Sequence, residues 1–186
     1  FMLDTTLNDA NRYPLKLNDL IVLTGCSSWD EAPAKIQWAS GVDQISAISS
    51  DIPNVGLKGD YFTTPLYMSD EFAPWEGSVM SIDPSGRGED RTGYAVLKML
   101  HGMLYLTAIG GLEGGYSDDT LEELSRIAKK QDVNYVVIES NFGDGMATQL
   151  LKPVMSRIHP CEMEEVRHNI QKEKRIIDTL EPIMNT

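Results

Sequence analysis

Ser78-Val79-Met80-Ser81-Ile82-Asp83-Pro84-Ser85-Gly86-Arg87-Gly88 runs from a strand pattern straight into a glycine loop, and the fold reads outward from it. Polar and apolar residues alternate up to Asp83, the period of a strand with one buried face. Pro84 then biases Asp83 toward an extended backbone. The stretch Gly86-Arg87-Gly88-Glu89-Asp90-Arg91-Thr92-Gly93 is turn-rich, and Tyr94-Ala95-Val96-Leu97-Lys98-Met99-Leu100 follows as a second strand. His101-Gly102 makes a tight turn into Met103-Leu104-Tyr105-Leu106-Thr107-Ala108-Ile109, a third strand. Consecutive strands with short connections predict an antiparallel meander.

Downstream the period changes. Ser117-Asp118-Asp119 has the capping serine and early acids of a helix start, with Leu121, Leu124, Ile127 and Ala128 at helical spacing and Lys129-Lys130 at the far end. Residues 133–138 are nearly all apolar, which predicts a central strand buried on both faces and ending at Glu139. Residues 145–158 predict a helix disturbed by Pro153, 161–167 a short strand, and 170–184 a last helix that Pro182 kinks or ends. The order β-β-β-α-β-α-β-α predicts an α/β mixed sheet with flanking helices. Upstream, Leu20-Ile21-Val22-Leu23 reads as a strand, and residues 25–77 as short strands and loops around scattered prolines. The expected organisation is an N-terminal linker or extension over 1–77 and a domain over 78–186.

A length of 186 residues with 41% hydrophobic content suffices for one domain with a sizeable core. No apolar run is long enough for a membrane span. Phe1-Met2-Leu3-Asp4 carries no basic region of the secretory kind, and a Phe at the start suggests a piece of a longer protein. Cys26 and Cys161 lie far apart without CxxC spacing, which argues against a disulfide framework or a thiolate zinc site and for a reducing compartment. The 16 basic and 28 acidic side chains give a net charge of −12, unlike a general polyanion binder. The balance reverses locally, where Arg167, His168, Lys172, Lys174 and Arg175 face only Glu173. An acidic chain with a short basic segment suits a carboxylate metal site beside a small nucleic-acid-facing edge. No G-x-x-x-x-G-K-[ST] occurs, so a P-loop ATPase is excluded for this chain.

Three acids are candidates for chemistry. Asp83 ends an apolar strand before a glycine loop; its ordinary role would be to cap that turn or pair with Arg87 or Arg91. Glu139 closes the central strand, where open sheets place their ligands, although a Glu emerging into solvent has the same local pattern. Asp178 lies on the last helix beside an apolar face of Ile176, Ile177, Leu180, Ile183 and Met184, one turn from Lys174, with which a plain ion pair is the ordinary expectation. With no histidine or cysteine cluster, an all-oxygen site suited to Mg²⁺ or Mn²⁺ is expected. Two such ions about 3.5–4 Å apart would activate water and stabilise the leaving oxygen in phosphodiester cleavage. They would also offset the mutual repulsion of clustered carboxylates.

The segment Ser81 to Gly88, continued by Asp90-Arg91-Thr92-Gly93, resembles the first motif of the large terminase nuclease domain of short-tailed (podovirus-type) tailed phages. Val137-Ile138-Glu139-Ser140-Asn141-Phe142-Gly143-Asp144-Gly145 looks like its second acidic motif, and Gln171-Lys172-Glu173-Lys174-Arg175-Ile176-Ile177-Asp178-Thr179-Leu180-Glu181-Pro182 like its third. The resemblance covers residues 78–186, and 1–77 look like the segment joining motor to nuclease. It implies an RNase H-like fold and a two-metal endonuclease that cuts concatemeric viral DNA during packaging, in the host cytoplasm. Asp83, Glu139 and Asp178 would then be the catalytic, metal-binding acids, with Asp144 as an auxiliary. Lys172, Lys174 and Arg175 would contact phosphates of double-stranded DNA. Portal and small terminase proteins, and an ATPase domain of the same polypeptide that this chain lacks, are the implied partners.

His168 suits a proton relay by its titration range, but a loop or edge position is the ordinary expectation. His101 and His159 have no assigned role. Rival readings are a junction resolvase or ribonuclease of the same superfold, an actin-like sugar kinase using the glycine loop, and a docking module that binds DNA or portal without cutting. The kinase would need a second nucleotide-binding half, for which the chain is too short.

Overall fold

Glycine-to-aspartate alternation in Gly77–Asp83 (β1) buries Ser78, Met80 and Ile82 and turns Val79, Ser81 and Asp83 outward. This is one strand of a computed structural model that describes residues 14–23, 30–39, 45–46, 61–85, 90–139, 145–169 and 171–184. The other main elements are β2 (Thr92–Leu100), β3 (Met103–Leu112), α1 (Asp118–Lys130), β4 (Tyr135–Glu139), α2 (Met146–Ile158), β5 (Glu162–Val166) and α3 (Lys172–Met184). Their order is the predicted one.

Packing divides the chain into two units. One comprises Ser27–Ala34 and Glu71–His168; the other comprises Phe1–Cys26, Lys35–Asp70 and Asn169–Thr186. Segments from both sides of Gly77 therefore enter the larger unit, because Glu31–Pro33 pairs antiparallel with Phe72–Pro74.

The larger unit holds a five-stranded sheet in the order β5-β4-β1-β2-β3. The meander β1-β2-β3 is antiparallel, and β4 runs parallel to both β1 and β5. The turn between β2 and β3 has His101 at φ 53° and Gly102 at φ 79°, the left-handed pair that suits a two-residue hairpin. In β3, Val96 faces Ala108 but Leu97 faces Leu106, so Thr107 is an extra residue. That bulge keeps Leu104, Leu106 and Ile109 on one face despite their uneven spacing.

Both helices of this unit cover the face bearing Met80, Ile82, Val96, Val136 and Ile138. Leu121, Leu124 and Ala128 come from α1, and Ala147, Leu151 and Met155 from α2. Ser117 caps α1 by accepting the Thr120 N–H at 3.3 Å, as predicted, with Asp118 and Asp119 in its first turn. The opposite face, with Val79, Leu97, Met99, Leu104 and Leu106, is more open, and Ile109 is 70% exposed.

The second unit is described by itself. It contains a 3₁₀ turn at Leu17–Asp19, the two-residue pairings of Ile36–Gln37 with Tyr67–Met68 and Ile45–Ser46 with Thr63–Thr64, and helix α3.

Two expectations need correction. Residues 20–23 form no strand; only Ile21 bridges Thr63, flanked by Val22 N–H donating to the Thr63 carbonyl at 2.7 Å. A neighbour only two residues long cannot template more. β4 is central but buries only Val136 and Ile138, leaving Tyr135, Val137 and Glu139 half-buried, because both helices of its unit lie on one face. As expected, α2 contains Pro153, on an exposed side where the acceptor it leaves unbonded is near the surface. Pro182 lies in the last turn of α3, whose described residues end at Met184, in keeping with a proline that ends a helix. Among the described residues no helix is long and apolar enough to cross a membrane.

Candidate active site

The β1–β4 ladder pairs Val79 with Tyr135, Met80 with Val136, Ser81 with Val137 and Ile82 with Ile138. One position further, Asp83 and Glu139 come side by side at the carboxyl ends of adjacent parallel strands. Neighbouring strands lie about 4.7–4.9 Å apart, and residues level with one another point to the same face. Ile82 and Ile138 are 2% and 0% exposed beneath the helices. The two acids therefore project to the opposite face, with Asp83 exposed and Glu139 half-buried. Each is also held on its other flank, Asp83 level with Gly93 of β2 and Glu139 with Val166 of β5.

At the far end of the same strands a polar pair joins β1 to the start of β4. The Ser78 hydroxyl donates to the Asp132 carbonyl at 2.7 Å and accepts the Asn134 N–H at 3.0 Å. Asn134 Oδ1 in turn accepts the Ser78 N–H at 3.0 Å. Both residues lie five positions before their strand's acid. The sequence pattern did not reveal this pair, because its hydrogen bonds join residues 56 apart and leave no periodic trace.

Around the acids the surface carries further charge. Arg91 pairs with Glu113 at 2.7 Å, both well exposed. The Tyr135 hydroxyl donates to the Glu164 carboxylate, and that bond raises the phenol's pKa above its usual value. Arg167 lies 3.7 Å from Glu165, and exposed His168 follows just beyond β5. At the opposite end of the sheet, Lys98 is only 3% exposed and lies 5.5 Å from the Trp75 ring centre. Burial lowers its pKa, opposed by the charges of Asp132 and Asp30.

Among the predicted site residues, the structure brings Asp83 and Glu139 together. Asp178 is exposed on α3 in the second unit, with Lys172 and Lys174 exposed and Arg175 half-buried toward the start of the same helix. Asp144 and Arg87 lie outside the described residues. Among the described residues no group of three or more His, Cys, Asp or Glu side chains is arranged to hold a metal ion. His159 serves the fold, with a ring nitrogen 2.7 Å from the Val133 carbonyl, and His101 lies at 3.1 Å from the Ala34 carbonyl. Burial pushes the Cys161 thiol's pKa up, so it has no nucleophilic activation.

An antiparallel meander extended by two parallel strands, with helices crossing between them and acids at the ends of the central strands, defines an RNase H-like domain. Residues 82–186 match the family model described as "Terminase Bacteriophage T7, Ribonuclease H-like domain". The chain belongs to that family. All of it aligns with the large terminase subunit of Enterobacteria phage T3 at 44% identity, and it spans 31% of that relative's length. Among solved structures, the nuclease domain of the large terminase subunit gp2 of bacterial virus Sf6 is 16% identical at a TM-score of 0.37, covering 50% of this chain and 38% of that one. The human cytomegalovirus terminase nuclease domain, Mn soaked and inhibitor bound, is 9% identical at 0.42, covering 60% of each chain. The fowlpox virus resolvase with Holliday junction DNA is 13% identical at 0.40, covering 55% of this chain and 73% of that one.

Proposed function

We propose that the chain is the nuclease part of a large terminase subunit, a divalent-metal-dependent endonuclease that cuts concatemeric double-stranded viral DNA during packaging. The observation that carries the reading is the Asp83–Glu139 pair, level at the carboxyl ends of β1 and β4 within the family-matched span. The donor set fits a hard cation, since two carboxylates on one open face offer only oxygen, which suits Mg²⁺ or Mn²⁺. Asp83 and Glu139 would hold the ions; Asp178 joins the assignment on its motif, to complete a site for two. When bound, such ions supply Lewis acidity at the attacking water and at the leaving oxygen.

The chain's own residues do the rest. The ladder keeps the two acids level on one face, which supports a site pre-organised before DNA arrives. Lys172, Lys174 and Arg175 supply donors for backbone phosphates, which position the duplex without reading its sequence. The nuclease domain is taken as 78–186, with 1–77 as linker or extension. An ATPase domain in the same polypeptide, and portal and small terminase proteins, are the proposed partners, in the host cytoplasm.

A plasmid-nicking assay with EDTA, Mg²⁺ and Mn²⁺ tests this, comparing wild type with Asp83→Asn. Metal-dependent cleavage that disappears in the variant is the expected result. Full activity in Asp83→Asn would overturn the site assignment. Absence of cleavage under all conditions, with DNA binding intact, would favour the docking reading.

A further inference from the structure

The ladder between β1 and β2 ends at the Asp83–Gly93 rung. The last rung is where a ladder ordinarily frays, and it is the rung that carries Asp83. Pro84 has no N–H and adds no further ladder bond. One residue later a different bond takes over. The Ser85 N–H donates to Thr92 Oγ1 at 3.1 Å, and the Ser85 hydroxyl lies 3.1 Å from the same oxygen. Ser85 is 6% exposed and Thr92 2%. Thr92 is itself anchored, level with Leu112 of β3.

Asp83 is thus held from two sides, by a backbone rung at Gly93 and by a buried side-chain clasp just past Pro84. Burying two hydroxyls is unfavourable unless they bond to each other or to the backbone, and here one oxygen satisfies both a backbone and a hydroxyl partner. The clasp lies just beyond that rung, while Asp83 stays on the open face. We infer that Ser85 and Thr92 are positioning residues that fix the Asp83 carboxylate beside Glu139 for a divalent cation. The inference rests on the metal-site reading above and adds to it the element that keeps the first ligand in place.

The test uses the full chain and Mn²⁺ alone as the probe, measured by titration calorimetry without DNA, with amide exchange at Ser85 as a second readout. Thr92→Val keeps the volume and deletes the hydroxyl, whereas Thr92→Ser restores it. Loss of a group that orients a metal ligand typically weakens metal binding 10- to 100-fold. Thr92→Val is therefore expected to raise the Mn²⁺ dissociation constant about 10-fold and to speed Ser85 exchange, with Thr92→Ser close to wild type. Leu151→Ala, a core change remote from the clasp, controls for lost stability and should leave Mn²⁺ affinity unchanged. Should Thr92→Val fail to fold, Ser85→Ala, which keeps the backbone donor, is expected to show a smaller loss in the same direction.

Mn²⁺ affinity unchanged in Thr92→Val, or reduced equally in Thr92→Ser or Leu151→Ala, would overturn the positioning role. Wild type that takes up no Mn²⁺, or Asp83→Asn that binds it as well as wild type, would instead overturn the metal site, and the clasp's role with it. The two failures are therefore distinguishable.

Discussion

Replacing Ser78 by Ala tests how the parallel register of β1 and β4 is held. The hydroxyl donates to the Asp132 carbonyl at 2.7 Å and accepts the Asn134 N–H at 3.0 Å, with Asn134 Oδ1 also 3.1 Å away, from a side chain only 5% exposed. Each such bond contributes about 0.5–1.5 kcal/mol net. Ser78→Ala should therefore cost about 1–3 kcal/mol. In a chain of this size, melting falls by about 2–4 °C for each kcal/mol. Asn134→Ala removes the reciprocal bond from Oδ1 to the Ser78 N–H, at 3.0 Å. Because the two side chains share one network, the double variant should cost less than the separate losses combined, with a coupling of about 0.5 kcal/mol or more. Urea unfolding followed by circular dichroism for the two single variants and the double variant supplies the cycle. A loss below about 0.5 kcal/mol for Ser78→Ala, or strict additivity, would refute the register lock. The apolar face of Met80, Ile82, Val136 and Ile138 would then set the alignment unaided.

Three further outcomes are expected. Leu151→Ala should lower the unfolding free energy by about 2–5 kcal/mol in a urea titration, since Leu151 is 2% exposed among the α1, α2 and sheet side chains. Gly145 precedes α2 at φ 81°, a left-handed backbone, and a Cβ there would lie 2.8 Å from Glu165 Oε2. Gly145→Ala should cost about 1–2 kcal/mol, mostly from the backbone, and Gly145→Asn less; thermal melts of the two variants check the order. Because burial holds the Lys98 pKa below its usual value of 10.5, the folded chain binds fewer protons than the unfolded one between those two values. Wild-type stability should therefore gain on Lys98→Met as pH rises toward 10.5. Denaturation of both proteins across the alkaline range measures the trend, and a relative loss would show that the nearby aspartates outweigh burial.

Much of the site was legible because it depends on local signals. Alternation up to Asp83 followed by Pro84, and the apolar run ending at Glu139, place an acid at the carboxyl end of each strand without any tertiary information. The first helix was legible for the same reason, since capping at Ser117 and the helical spacing of Leu121, Leu124 and Ala128 are local. Local patterns also misled. Leu20-Ile21-Val22-Leu23 has strand composition, yet its partner segment offers only a single bridge. Lys98 looks like a surface residue until the alternation of β2 and the ring of Trp75 bury it.

From sequence alone come the element order, the acidic candidates and the family resemblance, because propensity, periodicity and motif are carried by neighbouring residues. Only the tertiary structure decides that Asp83 and Glu139 stand level on one open face, since the register of parallel strands joins residues 56 positions apart. The same holds for the two small polar clasps beside that register. Ser78 with Asn134, and Ser85 with Thr92, look like ordinary polar residues of strands and turns in the chain. Their polar side chains acquire a structural role only where folding brings the partners within hydrogen-bonding distance and excludes the water that would otherwise satisfy them.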